Sequence, residues 1–159
     1  MTVKVGDKVP SAKLFIMKDG RPSATTSDDL FKNKKVVLFA VPGAFTPTCS
    51  QAHLPGYVVN ADKIKAKGVD SIVCLSVNDA FVMDSWGKSA NASELVMAAD
   101  GNGEFTKAMG LEMDGSGFGL GKRSQRYAMV VQNGVIKTLN VEAPGKFEVS
   151  SAEAILKAL

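Results

Sequence analysis

Cysteine, histidine and tryptophan are scarce in this chain, which has two, one and one of them among its 159 residues. No Cys-x-x-Cys pair occurs, and this supply of soft ligands is too small for a structural zinc site. We therefore expect no metal centre. Redox or nucleophilic chemistry is the more natural use of two isolated cysteines.

Long apolar runs and a strong charge of either sign are also missing. No stretch approaches the ~20 apolar residues of a membrane span, and the first ten residues, MTVKVGDKVP, lack the apolar segment of a secretory signal. The net charge is only +3, which is too mild to indicate nucleic-acid binding. We expect a cytoplasmic protein that acts on neither membrane nor nucleic acid.

Length and composition set the number of domains. With 159 residues, 45% of them hydrophobic, the chain is long enough for one domain with a real core and too short for two comfortable ones. We therefore expect a single domain that spans residues 1–159.

Short apolar runs alternate with helical patterns along the chain. Residues 36–41 are apolar throughout and 71–77 form a short, mainly apolar run, as in parallel strands that are covered on both faces, and a helical pattern lies between them. This is a βαβ unit. Further strands are predicted at 11–17, 95–99, 126–131 and 135–141, and further helices after 27–29 and at 80–88, 104–109 and the C-terminus, where Ser150 and Glu153 suggest a capping box.

The segment after the strand at 36–41 is the most informative. Thr46 followed by Pro47 is typical of a helix N-terminus, because threonine caps free N–H groups and proline at the first helical position has none to leave unpaired. Cys49 then lies in the first turn. A free thiol with a pKa near 8.5 is only about 3% ionised at pH 7, but helix N-termini and nearby cations favour the thiolate. The position predicts a reactive sulfur, whereas the alternative is a small buried apolar residue.

The motif Pro42-x-x-x-Thr46-x-x-Cys49, within PGAFTPTCS, resembles the active-site motif of the peroxiredoxins. Its continuation through His53 and the segment 54–56 resembles the type II, atypical two-cysteine subfamily, which includes glutaredoxin-dependent members of plants and bacteria. Similar segments at 77–79, 81–83 and 123–127 extend the likeness over nearly the whole chain.

The resemblance implies an α/β thioredoxin-like fold, with a central mixed sheet flanked by helices, and agrees with the βαβ unit, hairpin and closing helix read from the pattern. It implies a thiol peroxidase that reduces hydrogen peroxide and small alkyl hydroperoxides without metal or organic cofactor. Cys49 would supply the thiolate, Thr46 would bond the sulfur or the peroxide, Arg126 would stabilise the leaving oxygen, and Pro42 would shield the pocket from water. Arg123 is the competing cation, but it lies in a loop.

The substrate pocket and the subunit contacts are less directly indicated. Gly43 is expected in the pocket, and Phe118, in a glycine-rich loop, is expected as an apolar wall beside Cys49 that admits alkyl hydroperoxides. Phe118 could also be an ordinary loop anchor. The aromatic residues Phe45, Phe81 and Trp86 are either core residues or, as the resemblance implies for some of them, part of a homodimer interface.

Oxidised Cys49 could be returned to the thiol by two routes. Cys74 could form an internal disulfide with the oxidised Cys49, but it lies in the middle of an apolar strand, where a buried thiol is inert. Some members of the subfamily carry a resolving cysteine near the C-terminus, where this chain has Ser150 and Ser151. An external thiol, either glutathione with glutaredoxin or thioredoxin, is therefore the expected reductant.

Other activities fit the residues less well. His53, four residues after Cys49, could act as its base in a cysteine hydrolase, although Pro55 disturbs that geometry and no third partner is evident. A thiol–disulfide oxidoreductase would ordinarily carry Cys-x-x-Cys. A non-catalytic interaction or holdase module would function without Cys49.

Overall fold

The computed structural model describes all residues from Met1 to Leu159 and contains nine strands and five α-helices. The strands are β1 (Lys13–Lys18), β2 (Arg21–Thr26), β3 (Lys35–Val41), β4 (Ser71–Ser76), β5 (Val96–Ala99), β6 (Glu112–Asp114), β7 (Lys122–Ser124), β8 (Tyr127–Gln132) and β9 (Val135–Val141). The helices are α1 (Ser27–Phe31), α2 (Leu54–Ala66), α3 (Ala80–Ser89), α4 (Glu104–Met109) and α5 (Ala152–Ala158).

Seven strands form one mixed sheet in the order β2-β1-β5-β4-β3-β8-β9. The pairs β3–β4 and β4–β5 are parallel, whereas β3–β8, β8–β9, β5–β1 and β1–β2 are antiparallel. The predicted central mixed sheet flanked by helices is therefore confirmed. Strands β6 and β7 form a separate short ribbon within the glycine-rich segment, which the pattern had predicted as a loop.

The central strand β3 is buried on both faces, as its continuous apolar sequence predicted. Val37, Phe39 and Val41 point into a core shared with α2, α3 and α5. Val36, Leu38 and Ala40 belong to a second core on the opposite face, which includes α4. Because side chains alternate along a strand, one strand supports both layers.

The two N-terminal strands, β1 and β2, form a hairpin. The turn at Asp19–Gly20, where both residues have positive φ (52° and 76°), joins β1 to β2, whereas the sequence pattern predicts only the first of these strands. Pro22 is tolerated because β2 is the edge of the sheet, where a missing N–H interrupts no ladder. Helix α1 then begins after Thr26, whose hydroxyl accepts a hydrogen bond from the Asp29 N–H.

The final helix begins one residue later than the capping box predicted. Ser151, not Ser150, accepts the hydrogen bond from the Ala154 N–H at 3.1 Å. Ser150 has a different partner, because its hydroxyl donates to Glu142 at 2.6 Å. The cap prediction was therefore wrong by one position.

None of the helices combines the length and the apolar character needed to cross a membrane.

Candidate active site

The turn that follows β3 is held from two sides. Asn78 lies beyond the end of β4, the parallel neighbour of β3, and its Oδ1 accepts a hydrogen bond from the Ala44 N–H at 3.0 Å. On the other side, the Arg123 guanidinium covers Gly43 so closely that a Cβ there would lie 2.9 Å from Nη1. Gly43 is buried in this turn, and a side chain there would require the end of the flexible Arg123 side chain to shift. Phe45 has φ of 64°, which turns its ring outward.

The helix start predicted at Thr46 and Pro47 is present, but its first turns are not regular. The Ser50 N–H donates to the Thr46 carbonyl, as in an α-helix, whereas the Leu54 N–H donates to Cys49 five residues earlier. Residues Cys49–His53 thus form a π-helical turn directly before α2. Pro55, which has no N–H, cannot donate to this ladder, in agreement with the expectation that it disturbs the geometry between Cys49 and His53. Such turns occur frequently at functional sites.

Cys49 lies at the floor of this region with no exposed surface, and one cation reaches its sulfur. Arg126 Nη2 donates to Cys49 Sγ at 3.1 Å. Arg126 directly precedes β8, in which Tyr127 pairs with Ala40 near the end of β3. The antiparallel pairing of β3 and β8 therefore brings the arginine to the turn that carries the cysteine. Arg123, the competing cation, instead donates to the carbonyls of Leu120 and Pro42.

A buried histidine supports the arginine. His53 Nδ1 lies 2.7 Å from Arg126 Nη1, and His53 Nε2 lies 2.9 Å from the Ser150 carbonyl oxygen. A guanidinium can only donate and a carbonyl can only accept, so Nδ1 is unprotonated and Nε2 carries the hydrogen. Burial, followed by the charge of Arg126, lowers the pKa of His53 to about 3. The imidazole is neutral at physiological pH.

His53 is therefore not a base for Cys49. Its Nδ1 already receives the guanidinium of Arg126, and its Nε2 points to Ser150. The hydrolase interpretation of the Cys49–His53 spacing is wrong for this reason. The sequence offered no signal for the actual role, because Arg126 and Ser150 are 73 and 97 residues away along the chain.

The Ser150 carbonyl that holds His53 is itself fixed by several contacts. It also accepts a hydrogen bond from the Tyr57 hydroxyl at 2.8 Å. Glu142, which is almost fully buried, accepts hydrogen bonds from the backbone N–H groups of Glu148, Val149 and Ser150 and from the Ser150 hydroxyl. Burial raises the pKa of the Glu142 carboxyl, but these hydrogen bonds outweigh it and hold the pKa below its ordinary value. The carboxylate thus fixes the loop before α5.

Thr46 has a different hydrogen bond from the one predicted. Its hydroxyl does not cap the helix but donates to the Gly43 carbonyl at 2.7 Å. Since the single hydroxyl hydrogen is used there, the oxygen of Thr46 can offer only lone pairs to another group. It is therefore suited to accept a hydrogen bond from a molecule that approaches Cys49.

A cavity of about 480 Å³ opens beside Arg126. Pro42, Thr48 and Phe147 line it together with that arginine, and the Phe147 ring centroid lies 5.8 Å from Arg126 Cζ. Phe118, expected as a wall beside Cys49, is instead 89% exposed at the tip of the glycine-rich loop. That loop folds on itself through a hydrogen bond from the Gly115 N–H to the Gly121 carbonyl, which leaves Phe118 outside. Phe147, which sequence reasoning missed, provides the aromatic surface here.

The second cysteine is isolated from solvent. Cys74 lies in the middle of β4 with no exposed surface, in the same core as Cys49. Burial and the neighbouring Cys49 raise the pKa of the Cys74 thiol well above its ordinary value. Both cysteines are free thiols.

The aromatic residues near the turn divide into two groups. Trp86 is buried, and its indole N–H donates to the Ser50 hydroxyl at 3.0 Å. Phe45 and Phe81 are 53% and 61% exposed, and the Phe45 ring lies 6.4 Å from that of Trp86. Trp86 is thus a core residue, whereas the two phenylalanines are exposed apolar side chains, Phe45 in the turn before Cys49 and Phe81 near the start of α3.

Known proteins resemble this chain from end to end. The family model described as Redoxin matches residues 4–156. The chain is 52% identical over 164 residues to "Peroxiredoxin-2E-2, chloroplastic" of Oryza sativa subsp. japonica, covering 99% of this chain and 73% of that protein. It is 48% identical to "Peroxiredoxin-2C" of Arabidopsis thaliana, covering 99% and 98%. Reduced Prx3 of Vibrio vulnificus, crystallised in complex with H2O2, superposes with a TM-score of 0.96 at 60% identity over 99% of both chains.

Proposed function

Because this chain belongs to the peroxiredoxins and is therefore a thiol-dependent peroxidase, we propose that Cys49 is the residue that attacks the peroxide. The Cys49 thiolate attacks one oxygen of the O–O bond, which breaks as the S–O bond forms. Cys49 becomes a sulfenic acid, and the other oxygen leaves as water or an alcohol after taking up a proton. The observation that carries this assignment is the Arg126 guanidinium, 3.1 Å from the sulfur.

Arg126 has two roles in this reaction. Its positive charge favours the thiolate over the thiol, and the same donors stabilise negative charge on the oxygen that departs. Neutral His53 keeps the guanidinium in place without competing for its proton, since its Nδ1 only accepts. His53 is thus a positioning residue.

Thr46 orients the substrate. A hydroperoxide has one O–H hydrogen to donate, and the Thr46 oxygen, whose own hydrogen points to Gly43, is a ready acceptor. This bond would align the O–O axis with the sulfur, which is the positioning that an in-line displacement requires. Pro42 shields the pocket from bulk water, and Gly43 lets the backbone approach closely.

The cavity beside Arg126 gives organic hydroperoxides a place for their alkyl part. Pro42, Met113 and Phe147 supply apolar surface there. We therefore assign both hydrogen peroxide and small alkyl hydroperoxides as substrates. The complex of H2O2 with reduced Prx3 of Vibrio vulnificus supports the first of them.

An external thiol regenerates the enzyme in this proposal. Cys74 is the only other cysteine, and a thiol that is fully buried and protonated is a poor nucleophile. Glutathione with glutaredoxin, or thioredoxin, would reduce the sulfenic acid. The raised pKa of the Cys74 thiol, in the middle of β4 with no cation bonded to its sulfur, supports this route over an internal disulfide.

We also propose a homodimer that uses the surface around Phe45 and Phe81. These two large apolar side chains are exposed, Phe45 in the turn that leads to Cys49 and Phe81 near the start of α3. A second copy would cover them and would lie close to the substrate entrance. Sedimentation of the native protein and of a Phe45→Ser, Phe81→Ser variant tests this proposal.

Trapping of the oxidised residue tests the peroxidase assignment. The reduced protein is mixed with an equimolar amount of hydrogen peroxide and a sulfenic-acid reagent and is then analysed by peptide mass spectrometry. We expect one adduct, on Cys49, in the native protein and in Cys74→Ala, and none in Cys49→Ser. An adduct on Cys74 alone, or a quantitative Cys49–Cys74 disulfide, would contradict the assignment.

A further inference from the structure

Glu142 is hydrogen-bonded to Arg126 along two separate paths. The short path follows the backbone, because the Glu142 N–H donates to the Arg126 carbonyl at 2.9 Å, at the end of the β8–β9 pair. The long path starts at the Glu142 carboxylate, which accepts from the Ser150 N–H at 2.8 Å and from the Ser150 hydroxyl at 2.6 Å. The Ser150 carbonyl is bonded to His53, and His53 is bonded to the Arg126 guanidinium. These four residues therefore form a closed ring of hydrogen bonds.

All the side-chain bonds of this ring run in one direction, from the cation to the anion. The Arg126 guanidinium donates to His53 Nδ1, and His53 Nε2–H donates to the Ser150 carbonyl. Ser150 in turn donates to the Glu142 carboxylate, which can only accept. A chain of hydrogen bonds that starts at a positive group and ends at a negative one is strengthened from both ends.

The same guanidinium holds the sulfur with its other terminal nitrogen. Arg126 Nη1 lies 2.7 Å from His53 Nδ1, and Nη2 donates to Cys49 Sγ at 3.1 Å. Because the guanidinium is a rigid plane, the direction of Nη1 fixes that of Nη2. A displacement of the Ser150 carbonyl or of His53 would thus turn the arginine away from the Cys49 sulfur.

Glu142 carries a buried charge that closure of the loop alone does not need. The residue is 6% exposed, it accepts from the N–H groups of Glu148, Val149 and Ser150, and none of the three salt bridges of the molecule includes it. Removing a carboxylate from water is costly, and a neutral acceptor would close the same loop without that cost. The negative charge has its counterpart across the ring, in the guanidinium beside Cys49.

We propose that Glu142 is a positioning residue of the peroxidase reaction, which orients the Arg126 guanidinium towards Cys49 through Ser150 and His53. The inference rests on the proposed function, since it concerns the rate at which peroxide oxidises Cys49. Glu142 makes no hydrogen bond to Cys49 and acts only on the residue that does. The loop that contains residues 142–150 is thereby part of the support of the active site.

A double-mutant cycle tests whether Glu142 acts through His53. Glu142→Gln removes the charge and keeps an amide oxygen for the N–H groups of the loop. His53→Phe keeps a ring against Phe39 and Phe147 and removes both ring nitrogens. Stopped flow measures the oxidation of Cys49 by hydrogen peroxide in the full-length native protein, in each single variant and in the double variant.

Two further variants complete the cycle. Glu94→Gln is the matched control, because this exposed carboxylate is bonded only to Lys65. Ser150→Ala removes one donor to the Glu142 carboxylate and takes the place of Glu142→Gln if that variant does not fold. Urea unfolding of every variant records its stability beside its rate.

We expect Glu142→Gln and His53→Phe each to slow the oxidation about tenfold or more, as for a catalytic group that is slightly displaced. The double variant should be no slower than His53→Phe, because the residue through which Glu142 acts is then absent. Glu94→Gln should react at the native rate. A purely structural role of Glu142 predicts instead the same slowing with and without His53, in parallel with the loss of stability.

The single histidine of the chain gives a second measurement that needs no peroxide. In protein with isotope-labelled histidine, the Nε2–H signal of His53 in the magnetic resonance spectrum reports the bond to the Ser150 carbonyl. We expect this hydrogen to be protected from exchange with water in the native protein and in Glu94→Gln. In Glu142→Gln it should exchange about tenfold faster or more, because the carbonyl is held less firmly.

Two results would overturn the proposal. Glu142→Gln could oxidise at the native rate, or it could slow the His53→Phe variant as much as it slows the native protein. Failure of the proposed function is distinguishable, because native Cys49 would then not be oxidised by peroxide, whereas the exchange of the His53 hydrogen would still respond to Glu142→Gln.

Discussion

Acid should destabilise this protein through its single histidine. The pKa of His53 is lowered from 6.5 to about 3, so the folded protein keeps the imidazole neutral between these values while the unfolded chain binds a proton. A pKa that is depressed by folding contributes its full stability above about 6.5 and loses it as the pH falls. Between pH 7 and pH 5 the expected loss in the free energy of unfolding is about 2 kcal/mol.

Between pH 7 and pH 5 the histidine is the main group whose titration lowers the stability. Burial raises the pKa of Asp100, but a carboxyl pKa raised by folding adds stability as the pH falls. Glu142, with its lowered pKa, adds its own loss of stability only in more acidic solution. Urea unfolding at pH 7 and pH 5, followed by the fluorescence of the buried Trp86, measures the difference. The control is His53→Gln, which removes the only histidine and keeps an amide donor near the position of Nε2.

We expect the native protein to lose about 2 kcal/mol over this range and His53→Gln to lose almost nothing. Equal stability of the native protein at the two pH values would show that His53 is protonated or exposed in the folded state. The same slope in the variant would assign the effect to another group. Either result would contradict the neutral imidazole between Arg126 and Ser150.

Three further predictions concern single residues. Thr46→Val should lower the second-order rate constant for peroxide about a hundredfold, because the substrate loses its acceptor, and Thr138→Val on β9 should not change it in the same stopped-flow assay. Cys74→Ala should keep glutathione-supported turnover in a coupled assay, while its free energy of unfolding falls by about 1–2 kcal/mol. Loss of turnover would instead make Cys74 the resolving residue. Glu142→Gln should lower the free energy of unfolding, measured with urea, by about 2–3 kcal/mol, because an amide group replaces one acceptor oxygen. It should also lower kcat/KM for peroxide. A variant with native stability would show that the loop does not depend on the carboxylate.

Local sequence signals predicted the parts of the site that depend on neighbouring residues. Thr46 and Pro47 mark a helix start, and the apolar run that precedes them predicts the buried strand, so the position of Cys49 follows from about fifteen residues. Arg126 could be predicted to lie at the start of a strand, and pairing of that strand with β3 then brings it to the cysteine.

Contacts between distant segments could not be predicted in this way. The support of Arg126 by His53, and of His53 by Ser150, joins residues 73 and 97 positions apart, and no periodicity encodes such pairs. In the sequence, Glu142 is an ordinary loop residue. Only the folded chain shows that its carboxylate accepts hydrogen bonds from the backbone N–H groups of residues 148–150. Phe118 and Phe147 are both aromatic residues in glycine-containing loops, and only the folded loops decide which one lines the cavity.

Stopped-flow oxidation of Cys49 by hydrogen peroxide in Arg126→Gln tests the central claim most directly. The matched control is Arg21→Gln, an exposed arginine on the edge strand β2. We expect the rate constant to fall by about 10²–10³ in Arg126→Gln, as for removal of a donor that stabilises developing charge, and to stay native in Arg21→Gln. A native rate constant in Arg126→Gln would show that the guanidinium beside the sulfur does not activate it.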